Sequence, residues 1–514
     1  MSATVVLNLG LKSMRAAIFS ERGERLAIAY RAIETQMGEG VVEQDPEDWW
    51  RAGELVLDEA LAASGVRDEV RIVTVTASAG CLVPLDAAFR PQRTAIMISD
   101  VRARPQAELI SRLAVFEELA RPGRRVTPDL MLPKIVWLRE HQPAIFEATR
   151  WFATPNDFLV ARLTGEVVTD EQNATKYFHG LGGGDAYPAA VLSALHLDES
   201  RLPTVVRGGD GRLPLLPTVR ERFGLSPECE VVVSTYDAIC AVYGAGVSLP
   251  GEACDVSGTV TSFRAVTDLK LRDPSGRLFV APHVRPGLYL AGGSNNLGGG
   301  VIEWVKQLLY ADETDAYAAM ERDAADAPPG AAGITFLPYL LGERAPVWDA
   351  SARAVFFGLG RNHGRADMLR AVFEGVGFSI LDIADRLGEL GVTVDRVVAS
   401  GGLARIAPIQ QIKADMLGVP VALTEELETT ALGAALVAGV HAGTFASIDE
   451  ATRVAVRFGR SFEPDAMRTE MYRDFFAVYR GLYSSLKELF VVREDLIARH
   501  AEVLRTQPAR TENL

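Results

Sequence analysis

Residues 231–263 read VVVSTYDAICAVYGAGVSLPGEACDVSGTVTSF, and this stretch constrains the fold more than any other. An apolar run, Val231-Val232-Val233, ends on a lone carboxylate, Asp237. The small-residue segment 238–246 that follows suits a helix only where something packs very close to its backbone. Leu249-Pro250-Gly251 breaks the chain, and a second apolar run carries Gly258-Thr259 at a turn between strands. A carboxylate at a strand end can take a proton, and a glycine turn frees backbone N–H groups to hold oxygens of an anion. Taken singly, each piece is equally a helix cap and a tight hairpin.

The same signals recur along the chain. Val5-Val6-Leu7 reads as a buried strand, residues 8–13 as a turn, 14–19 as the returning strand and 26–32 as a third. Gly10 gives a ligand close access to the backbone there, with Lys12 and Ser13 as donors to phosphate. Asp45-Pro46 opens a helix as N-cap and first residue, with Trp49, Trp50, Leu55 and Leu61 as its apolar positions. Residues 70–75 form a buried strand running into Thr76-Ala77-Ser78-Ala79-Gly80. Small residues at such a strand end leave room for a ligand. Asp100 and Arg102 begin a helical stretch, where they either pair with each other or bind hydroxyls. Helices are expected from Pro133-Lys134, from Gln142-Pro143 and over 156–164, closed by Gly165. Residues 180–185 are a glycine-rich loop.

After Pro250 the pattern restarts, and residues 254–265 repeat the opening strand–turn–strand faintly, which suggests two half-molecules. Residues 294–300, SNNLGGG, precede a helix whose free N–H groups are expected to face an anion. A strand over 394–399 runs into Ser400-Gly401-Gly402, a turn against which a flat or phosphorylated ligand can lie. The small-residue helix 430–439 is expected to pack beneath that ligand. Residues 462–505 form a long helical tail with Tyr472, Phe476, Tyr479 and Leu482 at core spacing.

Composition narrows the function. With 514 residues, two domains are expected, and 48% hydrophobic with 23% charged residues is ordinary for a globular protein. A net charge of −14 without a Lys/Arg run argues against a nucleic-acid surface. There is no membrane-length apolar run and no signal-peptide pattern, so a cytoplasmic protein without membrane partners is expected. Cys81, Cys229, Cys240 and Cys254 lack metal-ligand spacing and are expected to be reduced and buried.

Several stretches together resemble the FGGY carbohydrate kinases of the actin/Hsp70/hexokinase superfamily. The strongest is AVFFGLGRNHGRADMLRAVFE, residues 354–374, with Gly358-Leu359, Asp367-Met368 and Ala371-Val372-Phe373-Glu374. Phe336-Leu337-Pro338-Tyr339, Gly342-Glu343-Arg344-Ala345-Pro346, Glu43-Gln44-Asp45-Pro46, Leu163-Thr164-Gly165-Glu166 and Ala431-Leu432-Gly433-Ala434-Ala435 follow in family order.

The resemblance implies an α/β fold of two ribonuclease H-like (actin-like ATPase) domains with an interdomain cleft. The domains would be 1–248, with the sugar and catalytic base, and 249–460, with the nucleotide, followed by a helical tail, 461–514. It implies Asp237 as catalytic base, Gly10, Lys12 and Ser13 as first phosphate loop, and Gly258 and Thr259 as second. Gly299 or Gly300 would lie near the α-phosphate, and Gly401 and Gly402 near the nucleoside. Ser78, Ala79, Gly80, Asp100 and Arg102 would face the substrate. ATP and Mg²⁺ are the implied cofactors, with Asn8 and Asp237 holding the metal through water; a homodimer is possible. Phosphoryl transfer to a sugar, xylulokinase-like and onto a ketopentose, is the implied reaction, with ribulokinase and erythritol-type activity as alternatives. The chain also departs from the pattern. Asn8 stands where the family has Asp, Val260 where it has Ser, Ile98 for an aromatic, Ile406 for a polar residue, and Ser78-Ala79-Gly80 for Gln-Met-His. These departures point to a second reading, a nucleotide- or sugar-binding relative with little transfer activity.

Overall fold

The opening apolar runs pair as their alternation demands. In the computed structural model, which describes residues 2–38, 40–119, 126–178, 186–271 and 273–504, β1 (Ala3–Leu9) and β2 (Ser13–Ser20) form an antiparallel hairpin. β3 (Arg25–Ala32) continues it in the same sense. The Asp45 carboxylate accepts the Glu47 N–H at 2.9 Å and starts α1 (Pro46–Ser64), which buries Trp49 and Trp50. Leu55, expected inside, faces solvent, because Val56 and Leu57 take the inward positions of that turn. β4 (Val70–Ala77) returns parallel to β1. After α2 (Met131–His141), β5 (Arg212–Pro214) and β6 (Glu230–Val232) complete the sheet, in the order β5-β6-β4-β1-β2-β3. β6 runs parallel to β4, so β1, β4 and β6 end at one edge. Asn8, Ser78 and the segment leading to Asp237 all sit there. Asp237 opens α3 (Asp237–Gly244).

The chain divides into two compact units. Unit 1 comprises residues 1–254, 264–291 and 424–459, and unit 2 comprises 255–263, 292–423 and 460–514. The division falls inside both strands that flank the Gly258 turn, β7 (Gly251–Ser257) and β8 (Thr261–Thr267). In unit 2, α4 (Gly299–Leu309) follows the glycine run, and α5 (Arg365–Glu389) is the central helix, buried from Leu369 to Ile380. β9 (Val394–Ser400) runs through the Gly401-Gly402 turn to α6 (Ala407–Leu417), and β10 (Val421–Thr424) lies parallel to β9. The glycine-rich stretch 180–185 lies outside the described residues.

The small-residue segments find their explanation in unit 1. α7 (Thr429–His441) crosses α3 where Gly244 meets Gly433. A Cβ on Gly244 would overlap the Thr429 carbonyl, and one on Gly433 the Cys240 carbonyl. The helix expected beneath a nucleotide therefore spends its glycine on another helix. The tail forms α8 (Ala466–Arg499), with Tyr472, Phe476 and Tyr479 buried and its ring of Tyr472 6.0 Å from that of Phe378 on α5. All four cysteines are buried, and none is in a disulfide.

Replacing Gly433 by Ala is expected to lower stability by at least about 2 kcal/mol, the range of overpacked cores. Chemical denaturation of Gly433→Ala beside the parent chain measures it.

Candidate active site

Two hydroxyls tie the ends of β4 and β6 together. Thr76 Oγ1 donates to the Thr235 carbonyl at 2.9 Å, and Ser234 Oγ donates to the Val75 carbonyl at 2.8 Å. This brings Ser78 against Asp237. Ser78 Oγ donates to Asp237 Oδ2 at 2.9 Å, and the Ala238 N–H donates to Oδ1 at 2.6 Å. The half-buried Asp237 lies in the first turn of α3, where the helix dipole favours a carboxylate. Burial outweighs that help and raises its pKa above the ordinary carboxylate value. The Ser78 bond, the Ala238 N–H, Arg264 and Lys176 pull the other way. A carboxylate with a raised pKa that still ionises is a competent general base.

Around it, Gly80 has φ +73°, and a Cβ there would strike the Asp129 carbonyl. Lys134, fully buried on α2, donates to the Gly80 carbonyl and at 3.4 Å to that of Asp129. Burial lowers its pKa. It clamps the Ser78–Gly80 segment from below. Of the two readings for Asp100 and Arg102, the pair forms. Asp100 Oδ2 accepts the Val42 N–H at 2.8 Å and Arg102 Nη2 at 2.6 Å, while Arg102 also reaches Glu43 at 2.6 Å and stacks 4.8 Å from the Trp137 ring centroid. Asp100 is fully buried and engaged by these donors. In the first turn, the Gly10 N–H donates to the Ser13 carbonyl at 2.9 Å; Lys12 is exposed, while Ser13 and Asn8 are buried.

Unit 2 carries the glycine turns. Gly258, Thr259 and Val260 are exposed, with the Gly258 N–H donating to the Val260 carbonyl at 3.0 Å. The N–H groups expected free before α4 are not free. Gly299 donates to the Gly258 carbonyl at 2.8 Å, and Gly298 and Gly300 donate to that of Thr259 at 2.9 and 3.2 Å. Side chains at Gly298 or Gly299 would strike Thr261 or Gly258, so these glycines let the helix start lie on the turn. Gly401, φ +85°, brings its backbone against Ser257, and Gly402 is exposed.

Sequence reasoning missed three supports. Lys413 pairs with Asp255 in full burial and reaches Ser257 Oγ at 3.3 Å, anchoring the strand that enters the Gly258 turn to α6. Glu343 accepts the Asn296 and Arg344 N–H groups at 2.7 Å each, and burial pushes its pKa up to about 7. Arg264 and Lys176 act on Asp237 from residues that no motif marked. Glu374, in the most family-like stretch, proves structural: it accepts from Gly330 N, Arg370 Nε and Tyr472 Oη at 2.9, 2.8 and 2.7 Å.

A half-buried carboxylate at a parallel-sheet edge, with glycine turns on the second unit, is the equipment expected of a sugar phosphotransferase. Residues 3–244 match the N-terminal domain model of the FGGY family of carbohydrate kinases and 255–442 the C-terminal one, and the chain belongs to this family, whose members use ATP as phosphate donor. It is 27% identical to the xylulose kinase of Bacillus subtilis over 95% of this chain and 98% of that protein. Against the xylulose kinase of Escherichia coli K12 the identity is 28%, over 94% and 99%. The solved xylulose kinase from Rhodospirillum rubrum is 29% identical, with a TM-score of 0.84 over 95% of this chain and 99% of that one. Among the described residues, no helix is long and apolar enough to cross a membrane.

Ser78 stabilises the charged form of Asp237, so Ser78→Ala is expected to raise the pKa of the base. The acid limb of the rate profile then moves to higher pH, and turnover on that limb falls about tenfold, as for loss of a hydrogen bond to a charged group. A pH–rate series on both proteins measures the displacement.

Proposed function

We propose that this chain is an ATP-dependent kinase acting on a hydroxyl of a ketopentose, with D-xylulose the first candidate. One observation carries the reading: Asp237 stands at a sheet edge, half-buried and oriented by Ser78. Its free lone pairs accept the hydroxyl proton as the sugar oxygen attacks the γ-phosphorus. The new O–P bond forms, the bond from the γ-phosphorus to the β,γ-bridging oxygen breaks, and ADP leaves with that oxygen. Such transfer asks for positioning and charge neutralisation more than covalent help. We assign the sugar and base to residues 1–248, the nucleotide to 249–460, and a helical tail to 461–514. Ser78, Ala79 and Gly80 line the sugar; Asp100 supports Arg102, which reads hydroxyls. Gly10, Lys12 and Ser13 with Gly258 and Thr259 receive phosphates; Gly299 and Gly300, whose N–H groups are engaged by the Gly258 turn, lie near the α-phosphate without donating to it, and Gly401 and Gly402 lie near the nucleoside. With ATP as donor, we place the reaction in the cytoplasm.

Mg²⁺ would neutralise the triphosphate. Among the described residues no three His, Cys, Asp or Glu side chains gather as a metal cage. One carboxylate, Asp237, and one amide, Asn8, suit an ion that keeps its waters and arrives on the nucleotide. Asn8 and Val260 favour a second reading, a weakly active relative that binds without efficient transfer.

A coupled assay of ADP release across ketopentoses, hexuloses and polyols separates the two. The kinase reading expects one sugar to raise release well above background; ATP binding with no sugar response would establish the binder. Asp237→Ala is expected to lower turnover at least a hundredfold with ATP affinity little changed, and near-full turnover would remove Asp237 from the mechanism.

We also read the protein as a homodimer, from one feature of the tail. α8 turns the exposed Leu489, Val492 and Leu496 to one side, opposite Phe490, which is buried, and Glu494, which binds Arg353 at 2.8 Å. Glu488 and Arg493 flank this stripe with opposite charge, as a parallel pair of like helices requires. Mass measured by light scattering is expected to be twice that of the chain and to halve in Leu489→Glu/Leu496→Glu; an unchanged mass would place pairing elsewhere.

A further inference from the structure

Beside the base lie two buried side chains, Arg264 and Tyr236, whose donors find no acceptor among the described residues. Arg264 on β8 is 7% exposed, yet its Nε and Nη1 have no hydrogen-bond acceptor among the described residues. Its guanidinium lies 5.4 Å from the ring centroid of Phe279. The Lys176 ammonium stands 5.2 Å from that same ring and 5.2 Å from the ring of Tyr236. The Tyr236 hydroxyl is buried and also lacks a partner. Tyr236 precedes Asp237 in the chain, and both cations act electrostatically on that carboxylate.

The acids nearby are already engaged. Asp237 accepts from Ser78 and the Ala238 N–H. Asp170, the other carboxylate acting on Tyr236, accepts from the Gln172 N–H, the Asn173 N–H and Asn173 Nδ2. A guanidinium removed from water with N–H groups left unpaired is costly, and an aromatic face returns only part of that cost. What Arg264 and Tyr236 lack is of one kind: acceptor oxygens, which a guanidinium prefers negatively charged. A neutral hydroxyl supplies acceptors but no charge. The planar fork of an arginine matches a carboxylate or a phosphate.

We propose that Arg264, Tyr236 and Lys176 form an oxyanion site beside the catalytic base. Arg264 binds the oxyanion through Nε and Nη1, the Tyr236 hydroxyl donates a further bond, and Lys176 supplies charge. Two sources offer this chemistry: a carboxylate on the acceptor sugar itself, or the phosphoryl group that the sugar receives. The place of the site in the reaction rests on reading Asp237 as the base; the binding does not.

Thermal denaturation of the full chain, without nucleotide, tests the binding. Inorganic phosphate and a five-carbon aldonate are titrated separately against chloride at matched ionic strength. At least one is expected to raise the melting temperature saturably, and Arg264→Met to abolish the rise. If the aldonate does so and also raises ADP release, the sugar carries the carboxylate. If phosphate alone does so, and Arg264→Met lowers kcat for a neutral sugar at unchanged KM, the phosphoryl group is the ligand. No rise beyond chloride, or an undiminished rise in Arg264→Met, overturns the proposal. Should Arg264→Met fail to fold, Tyr236→Phe takes its place: it is expected to weaken the response severalfold, and a response equal to the parent's overturns the proposal. Sugar phosphorylation without anion binding would remove this site and leave the kinase; anion binding without any sugar response would do the reverse.

Discussion

The whole of the base half depends on how β4 and β6 end. Thr76 and Ser234 each cross to the other strand's backbone, and both hydroxyls are buried. Once those two bonds fix the ends side by side, Ser78 and Asp237 have little freedom left. Their mutual bond then follows from the position of the strands, not from the strength of the pair. Directly behind, the Gly244–Gly433 crossing sets the axis of α3 and so the direction from which the carboxylate emerges. The scaffold gives up helix propensity at two glycines to secure that direction.

Charge around the base is balanced between opposing effects. Burial raises the pKa of Asp237, while Ser78, a backbone N–H and two cations hold it down. Neither side alone suits the task. An unopposed burial effect would leave the acid protonated and unable to accept a proton, and an exposed, fully solvated carboxylate would be too weak a base. Lys134 fixes the backbone on which Ser78 sits, and Asp100 with Glu43 fixes the Arg102 guanidinium.

Much of this was legible in the chain itself, for identifiable reasons. The opening hairpin, α1 with its Asp45 cap, β4 and β9 follow from alternation and capping, which are local. The demand that something pack closely on residues 238–246 was readable because glycine is a poor choice in an open helix. The partner, α7, was not: it lies nearly two hundred residues away, and its own glycine suggested a ligand instead. The free N–H groups expected before α4 fail similarly, since their acceptors belong to a turn some forty residues earlier. Arg264 and Lys413 carry no motif at all. Their meaning comes from burial, which no spacing announces. The likeness at residues 354–374 identified the family through a stretch whose Glu374 turns out to tie α5 to the tail.

The central claim is that Asp237 is a half-buried carboxylate tuned to receive a proton. Carbon-13 NMR titration of that carboxyl, assigned by its loss in Asp237→Asn, tests it most directly. The account predicts a midpoint above the ordinary aspartate value that responds to addition of the sugar. A carboxyl that titrates as a free aspartate, indifferent to sugar, would contradict it.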